Sequence, residues 1–421
     1  MKTRLGMVSL VVAAATVIAA CGSSSSTSSN TTGTSTGGGG ANTVDVYSSL
    51  PLQGASGAQT MPMVNGIKLA LSQANNKAGS FNVNYLNLDD STAQAGKADP
   101  AQASANARKA AQDGKAVYYI GEFNSGASKS VIPILNQVGL AEVSPANTYV
   151  GLTVAQPPAT IPNEPQKYYP AGKRTYLRIV PRDTIQAAAI LKTMKADGCT
   201  KVAIANDKDT YGQGLATLLD LQKATYGITV TSDTGIDPKA PNYRTYAQTI
   251  KAQGANCFVF SGIVANGGVQ ITKDVAAALP NAKIYGPDGM CTNSWTNPSK
   301  GGVPLSIDKN IQCTVATLDL KAYPGGKTFL AQYQAKYGSG SPDPYAIYGY
   351  EAMKLGLDTI AKLGAKGSDK AAVLAALFAI KSRASVLGKY GFDANGDTTL
   401  KSYGLYKVGA DGNPLFEKTV N

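Results

Sequence analysis

Short β-branched runs alternate with longer amphipathic stretches along this chain, and the alternation runs through twice. VDVYSSL (44–50), VNYLNLDD (83–90), AVYYIG (116–121) and LAEVS (140–144) are strand-like. Between them, stretches over 63–76, 101–112 and 128–138 place apolar residues at helical spacing. A β-α-β-α-β-α-β order predicts a parallel, doubly wound sheet with helices on its faces. After a break the order repeats with YLRIV (176–180), KVAIAN (201–206), ITVTSDT (228–234), NCFVFSG (256–262) and AKIYGP (282–287), with helices over 184–196, 214–225, 243–253 and 268–279 between them. Two α/β layers of similar size are therefore expected, without a fixed-period sequence repeat.

The remainder divides unevenly around these series. Residues 151–174 are rich in Pro, Gly and polar side chains and lack periodicity, which predicts a long surface loop. The C-terminal third offers one strand, QCTVATLD (312–319), helices near 326–337, 345–363 and 370–380, and a stretch over 388–408 that alternates like a hairpin around Asn395-Gly396. These elements are too few to build a third core, so they are expected to cross back and complete the two earlier layers.

The chain begins as an exported one does. Lys2 and Arg4 precede an apolar, alanine-rich run that is short for a membrane span and ends Ile18-Ala19-Ala20-Cys21. This ending resembles a bacterial lipobox, which makes residues 1–20 a signal peptide and Cys21 the lipidated residue; an ordinary secretory signal is the alternative. Residues 21–42 are almost wholly Ser, Thr and Gly and predict a flexible tether. Outside the cytosol, the remaining Cys199, Cys257, Cys291 and Cys313 suggest two disulfides with three possible connectivities. Cys199 and Cys257 each precede a strand-like run, which favours their pairing and leaves Cys291 with Cys313. No CxxC spacing and no histidine support a metal site. The formal charge of +12 comes from scattered residues, with Arg108-Lys109 and Lys173-Arg174 the only adjacent basic pairs, so no nucleic-acid partner is expected.

Chemistry narrows on the turn in AVYYIGEFNSGASKS (116–130). Without histidine there is no Ser-His-Asp or Cys-His arrangement. The turn is neither GxSxG nor GxGxxG, and no GxxxxGK[ST] occurs. Asp393 to Asp397 hints at a calcium loop, but its twelfth position is Gly404 in place of a bidentate acid. What remains is a binding geometry: a strand end and a helix start that bring Ser125, free N–H groups and a positive dipole end to a crevice. Plain N-capping by Ser125 is the alternative. A second polar turn, Ser144 to Thr148, ends the next strand; the other layer offers Tyr211 and Asp288 at strand ends. Hydroxyls and N–H groups facing an aromatic and a carboxylate suit a zwitterion.

The motifs SLPLQGASG (49–57), NGIKLALSQAN (65–75), YIGEFNSGAS (119–128), VSPANT (143–148), LRIVPRD (177–183), DTYGQGL (209–215), YGPDGM (285–290) and YGFDANGD (390–397), in this order, resemble the leucine/isoleucine/valine-binding proteins of branched-chain amino-acid ABC importers. The resemblance implies a type I periplasmic-binding-protein fold: two Rossmann-like, doubly wound α/β lobes, 43–180 plus 318–383 and 181–317 plus 384–421, joined by hinge crossings near 178–184, 314–319 and 382–388. It implies a non-enzymatic, monomeric, cofactor-free, lipid-anchored binding protein outside the cytoplasm, which passes a small polar ligand, an amino acid, to a permease. By position, Ser125, Asn147 (through its backbone N–H) and Thr148 hold the ligand from the first lobe, and Tyr211 and Asp288 close on it from the second. Asp288 stands where the family often has Glu, and Gln59 and Ile263 stand where some members place aromatic walls. Side-chain preference is thereby left open among branched-chain acids, amides, urea and aromatic acids. A sensory lipoprotein is the alternative output, and a secreted enzyme a third.

Overall fold

The computed structural model describes residues 42–421; the expected signal peptide (1–20), Cys21 and the expected tether through residue 41 lie outside the described residues. The first series forms β1 (Thr43–Leu50), α1 (Gly57–Gln73), β2 (Lys77–Ala78), β3 (Phe81–Asp89), α2 (Pro100–Gln112), β4 (Ala116–Ile120), α3 (Ser125–Gln137), β5 (Ala141–Ser144) and β6 (Tyr176–Arg178). Its six-stranded sheet has the order β2-β3-β1-β4-β5-β6, parallel throughout except for β2. The central strand β4, AVYYI, is buried at every residue. Covered on both faces, it needs no polar alternation.

The second series forms α4 (Asp183–Ala196), β7 (Lys201–Asn206), α5 (Thr210–Gln222), β8 (Thr229–Gly235), α6 (Arg244–Ala252), β9 (Cys257–Ser261), α7 (Gly268–Ala278), β10 (Lys283–Gly286), α8 (Asn293–Thr296), α9 (Leu305–Asp308) and β11 (Ile311–Val315). There follow α10 (Gly326–Tyr337), α11 (Ala346–Lys362), α12 (Lys370–Phe378), β12 (Arg383–Ser385), β13 (Gly388–Tyr390), β14 (Tyr403–Val408) and β15 (Pro414–Val420). The second sheet has seven strands in the order β15-β14-β11-β10-β9-β7-β8. Its β7–β11 part is parallel, while β14 and β15 add antiparallel edges.

The C-terminal third does return to both layers. α11 crosses α1 on the first sheet so closely that a Cβ on Gly66 would collide with the Ala346 carbonyl, and one on Gly349 with the Met63 carbonyl. β14 and β15 go to the second sheet. Both disulfides belong to that layer: Cys199–Cys257 ties the start of β7 to β9, and Cys291–Cys313 ties the segment after β10 to β11, with Cα separations of 5.9 and 5.5 Å.

Four local expectations need correction. Residues 388–408 do not form a hairpin: β13 pairs with β12, whereas β14 pairs with β11 and β15. The Asn395-Gly396 turn instead docks on β6, with the Arg178 N–H donating to the Gly396 carbonyl at 3.0 Å. Residues 384–390, expected with the second layer, attach to α11 through Arg383 and Tyr390, which both bond Glu351. The 151–174 loop is not merely superficial. Its Glu164 is buried and accepts from Tyr149 Oη at 2.6 Å, from Tyr168 and from the Ile161 N–H at 3.1 Å, which fastens the loop over α3. Finally, α1 starts at Gly57, ahead of the expected 63, and carries Pro62 inside it.

One buried ion pair joins distant parts of this fold. Arg178, at the end of β6, is fully buried; its Nε donates to Asp397 Oδ1 at 2.6 Å and its Nη1 to the Tyr149 carbonyl at 2.8 Å. Asp397→Ala leaves that guanidinium buried and unpaired, which is expected to cost about 3–5 kcal/mol. Urea unfolding followed by circular dichroism checks this.

Candidate functional site

α3 begins without a side-chain cap. Asn124 holds the cap position with extended backbone, yet its Oδ1 is buried without a hydrogen-bond partner. The first N–H groups of α3 therefore have no side-chain cap, and the positive end of the helix dipole lies behind them. Ser125 is buried there at 3 % exposure; its hydroxyl does not cap the helix and is instead approached by the Tyr149 N–H at 3.4 Å.

The turn after β5 braces this end. The Asn147 N–H, expected to face a ligand, donates instead to Ser144 Oγ at 2.8 Å. Its side chain donates to the Phe123 carbonyl at 2.8 Å and accepts from Ser128 and from Tyr176 Oη at 3.0 Å. A residue with every group so engaged shapes the turn and has no N–H to offer. Thr148 is buried beside it, and its carbonyl accepts the Asp183 N–H at 2.8 Å, where α4 starts.

Across the crevice Asp288 is fully buried after β10. Tyr211 donates to its Oδ1, Tyr345 Oη donates to Oδ2 at 2.9 Å, and Gln59 Nε2 donates to its carbonyl at 3.1 Å. Burial raises the Asp288 carboxyl above its ordinary value, and hydrogen bonds from Tyr211, Gln186 and Tyr345 oppose the rise. The structure thus brings Tyr211 and Asp288 into direct contact. It adds three partners that sequence reasoning did not assign to the acid: Tyr345, Gln186 and Gln59. Tyr345 packs edge-on against Phe123 with centroids 5.9 Å apart, on the turn that carries Ser125. The signal for Tyr345 was only an aromatic before a helix, indistinguishable from a core residue.

Asp183 is a second acid here, one that the sequence reading did not assign. It is fully buried with no hydrogen-bond partner on either oxygen, and burial, reinforced by the charge of Asp288, pushes it well above the usual range. Two carboxyls thus line the second-layer wall, opposite a helix N-terminus. The layers are in contact here. Lys129 Nζ reaches Thr210 Oγ1 at 3.1 Å and Lys97 Nζ reaches Asn266 Oδ1 at 2.6 Å. The cavity remaining among Gln59, Phe123, Ile263 and Gly289 measures about 10 Å3, room for no more than one water. Gln59 and Ile263 both line this cavity.

With the geometry in hand, the comparisons with known proteins decide the family. Residues 48–413 match the family model described as periplasmic binding protein. The chain belongs to the periplasmic binding protein family. A Leu/Ile/Val-binding protein, BraC3 of Rhizobium johnstonii, is 28 % identical over 85 % of this chain and 89 % of its own length. An amino acid binding protein of Pseudomonas aeruginosa is 24 % identical over 79 % of this chain and 81 % of its own. The leucine binding protein LivK of Thermotoga maritima superposes with a TM-score of 0.75 at 21 % identity, covering 90 % of this chain and 99 % of that one. A Rhodopseudomonas palustris solute binding protein in complex with p-hydroxybenzoic acid gives 0.73 at 19 %, covering 90 % and 97 %. This periplasmic binding protein is accordingly a binder by family, not an enzyme, and family membership places it outside the cytoplasm. Among the described residues no helix is long and apolar enough to cross a membrane, and none of their acid or cysteine groups forms a metal cluster.

Behind the α3 turn lie three buried acids without a basic partner. Glu122 accepts from Tyr119 Oη at 2.7 Å and Ser49 Oγ at 3.1 Å; Glu142 is met only by Ser128 Oγ at 3.4 Å. Burial holds both well above the carboxylate range and pushes Asp90 up to about 6, with the Asp89 and Asp99 charges adding to the rise. Groups raised on folding contribute stability that is complete at low pH and is lost as pH climbs through their folded values. For Asp90 that window runs from the ordinary carboxylate value near 3.8 to about 6. Asp90→Asn is expected to flatten the decline in urea midpoint across this window; a decline as steep as in the parent would contradict the assignment.

Proposed function

We propose that this binding protein captures a small zwitterion, an amino acid, between two lobes and hands it to an ABC permease. The observation that carries the reading is the opposition of the uncapped α3 N-terminus with Ser125 to the buried Asp288–Tyr211 pair. A carboxylate is stabilised at the first and an ammonium at the second, so one α-amino acid satisfies both. The ligands named for the relatives from Rhizobium, Pseudomonas and Thermotoga are of this class. Thr148 joins Ser125 on the first side, while Asn147 shapes the turn from behind.

Binding requires the layers to part and close again, since the present gap holds no amino acid. We assign the hinge to the three chain crossings at 179–182, 316–325 and 391–402, where backbone passes between the sheets. The lobes then comprise 43–180 plus 318–383 and 181–317 plus 384–421, apart from the β12–β13 ribbon that rides on α11. Outside the described residues, Cys21 is the proposed lipid attachment and the Ser/Thr/Gly stretch the tether.

A second reading is favoured by one observation. Asp288 already has both oxygens occupied by tyrosines, so a ligand without an ammonium, such as an aromatic acid, leaves nothing unpaired. The Rhodopseudomonas relative with p-hydroxybenzoic acid is of that kind. Calorimetry with leucine and with 4-hydroxybenzoate separates the two. For a zwitterion, Asp288→Asn should weaken binding on the order of 100-fold while the melting temperature without ligand holds; unchanged affinity for leucine would sink the zwitterion assignment.

A further inference from the structure

The first layer is polarised along its strands. Asp89, Asp90 and Glu122 stand at or just past the carboxyl ends of β3 and β4, toward the crevice. The other end of the sheet, where its parallel strands begin, is basic. β2, just ahead of β3, carries Lys77, the turn entering β4 carries Lys115, and the stretch entering β6 carries Lys173 and Arg174. The α11–α12 connection comes to the same side and adds Lys362, Lys366 and Lys370. Lys370 Nζ donates to the Asp113 carbonyl at 3.3 Å, and a Cβ on Gly79 would lie 3.1 Å from the Ala361 Cα.

These cations are turned to solvent and left without counter-charges. Lys77, Lys115, Lys173, Lys362 and Lys366 are exposed, and neither they nor Lys370 and Arg174 form an ion pair among the described residues. The acids that share this side are tied to neighbouring groups. Asp45 accepts from Asn84 Nδ2 at 3.1 Å, Asp113 from Tyr47 Oη at 2.8 Å, and Asp369 caps α12 through the Ala371 N–H at 2.8 Å. Val138, in the turn entering β5, is 39 % exposed on the same end. An apolar side chain beside ammonium groups suits a surface with charged headgroups over hydrocarbon.

We propose that this end of the first layer docks on an anionic lipid membrane. Lysines on several separate loops match a field of headgroup phosphates, which demands no fixed geometry. Chain connectivity decides which end of the molecule docks. The strand starts of the second layer also carry lysines, Lys201, Lys283 and Lys309, and face the other way, since both sheets turn their carboxyl ends to the crevice. The described chain enters at the first layer: the Asn42 carbonyl accepts the Asn82 N–H at 2.8 Å, and Asn82 is paired with Lys77. About 20 residues separate this point from Cys21, and a Ser/Gly-rich coil of that length spans about 25 Å. A lipid at Cys21 therefore holds this end, and not the other, beside the bilayer. The orientation rests on the proposed attachment at Cys21; the attraction rests on the lysines alone. Docked this way, the crevice lies at the far ends of the strands, clear of the membrane.

The test is cosedimentation of the chain from residue 21 onward, carrying Cys21→Ser and so no acyl group, with lipid vesicles. Vesicles of equal phosphatidylglycerol and phosphatidylcholine should bind it, vesicles of phosphatidylcholine alone should not, and added salt should release it. Each lysine at an anionic surface strengthens binding about fivefold. The triple variant Lys115→Glu, Lys362→Glu, Lys366→Glu should therefore lose at least about 100-fold in affinity. The matched triple variant Lys201→Glu, Lys251→Glu, Lys309→Glu makes the same change of net charge on the second layer and should lose less than about threefold. All six lysines are exposed, so both variants should melt as the parent does. The proposal is overturned if the parent ignores phosphatidylglycerol, if it binds phosphatidylcholine alone as tightly, or if the two triple variants lose affinity equally. A failed lipid attachment at Cys21 changes none of these readings, because the test chain carries no lipid.

Discussion

Everything between the two sheets is organised around the buried guanidinium of Arg178. It makes four hydrogen bonds to three chain segments: Asp397 in the C-terminal turn, the Asn147 and Tyr149 carbonyls after β5, and Thr153 at the start of the long loop. Arg182 adds a second, half-exposed contact to Asp397 at 3.3 Å. A planar, permanently charged fork is the side chain that can hold several acceptors in fixed directions at once. The consequence reaches the crevice. Because Arg178 pins the carbonyls of 147 and 149, the backbone carrying Thr148 and the N–H approaching Ser125 have one available course. The pair also lies where the chain leaves the first sheet, so the crossing and the site wall share one anchor.

The two walls of the crevice differ in electrostatic kind. The first-layer wall offers dipoles, the uncapped end of α3, over acids that burial pushes above their ordinary values. The second-layer wall offers carboxyls, Asp183 and Asp288, and Tyr211 and Tyr345 donate to the second of them. Hydroxyl donors around a buried acid hold its charge without a competing cation. That arrangement keeps the acid serviceable for a ligand cation while the layers are in contact.

The architecture was legible because its signal is repeated many times: every buried parallel strand reads as a β-branched run and every covering helix as a period of 3.6. Partners were legible where two residues announced themselves by type, as the cysteines did. The misreadings share a cause, in that tertiary contacts supplied what local pattern lacked. Residues 388–408 alternate as a hairpin would, but β13 finds β12, β14 finds β11, and the turn between them finds β6. The 151–174 segment has no period, yet Glu164 gathers two tyrosine hydroxyls and a backbone N–H that no spacing reveals. The N–H of Asn147 was assigned by motif position; a serine hydroxyl three residues earlier in the chain had the shorter path to it. Asp183 escaped notice because an acid at a helix start ordinarily reads as a cap.

Direct contact between the layers has a thermodynamic consequence for the proposed capture. The contacts that hold them together, Gln59 to the Asp288 carbonyl, Tyr345 to its carboxylate, Lys129 to Thr210 and Lys97 to Asn266, are made between protein groups alone. Some of them must break before a ligand enters, and those remote from it re-form around it. Affinity is then a difference between the closed state with and without the ligand, weighted by how often the layers part. Tyr211 and Tyr345 bond the acid that a ligand ammonium must share, so they set how much of the ammonium's interaction is new. The tyrosines that already satisfy Asp288 therefore lower the net gain that a ligand ammonium can bring to it.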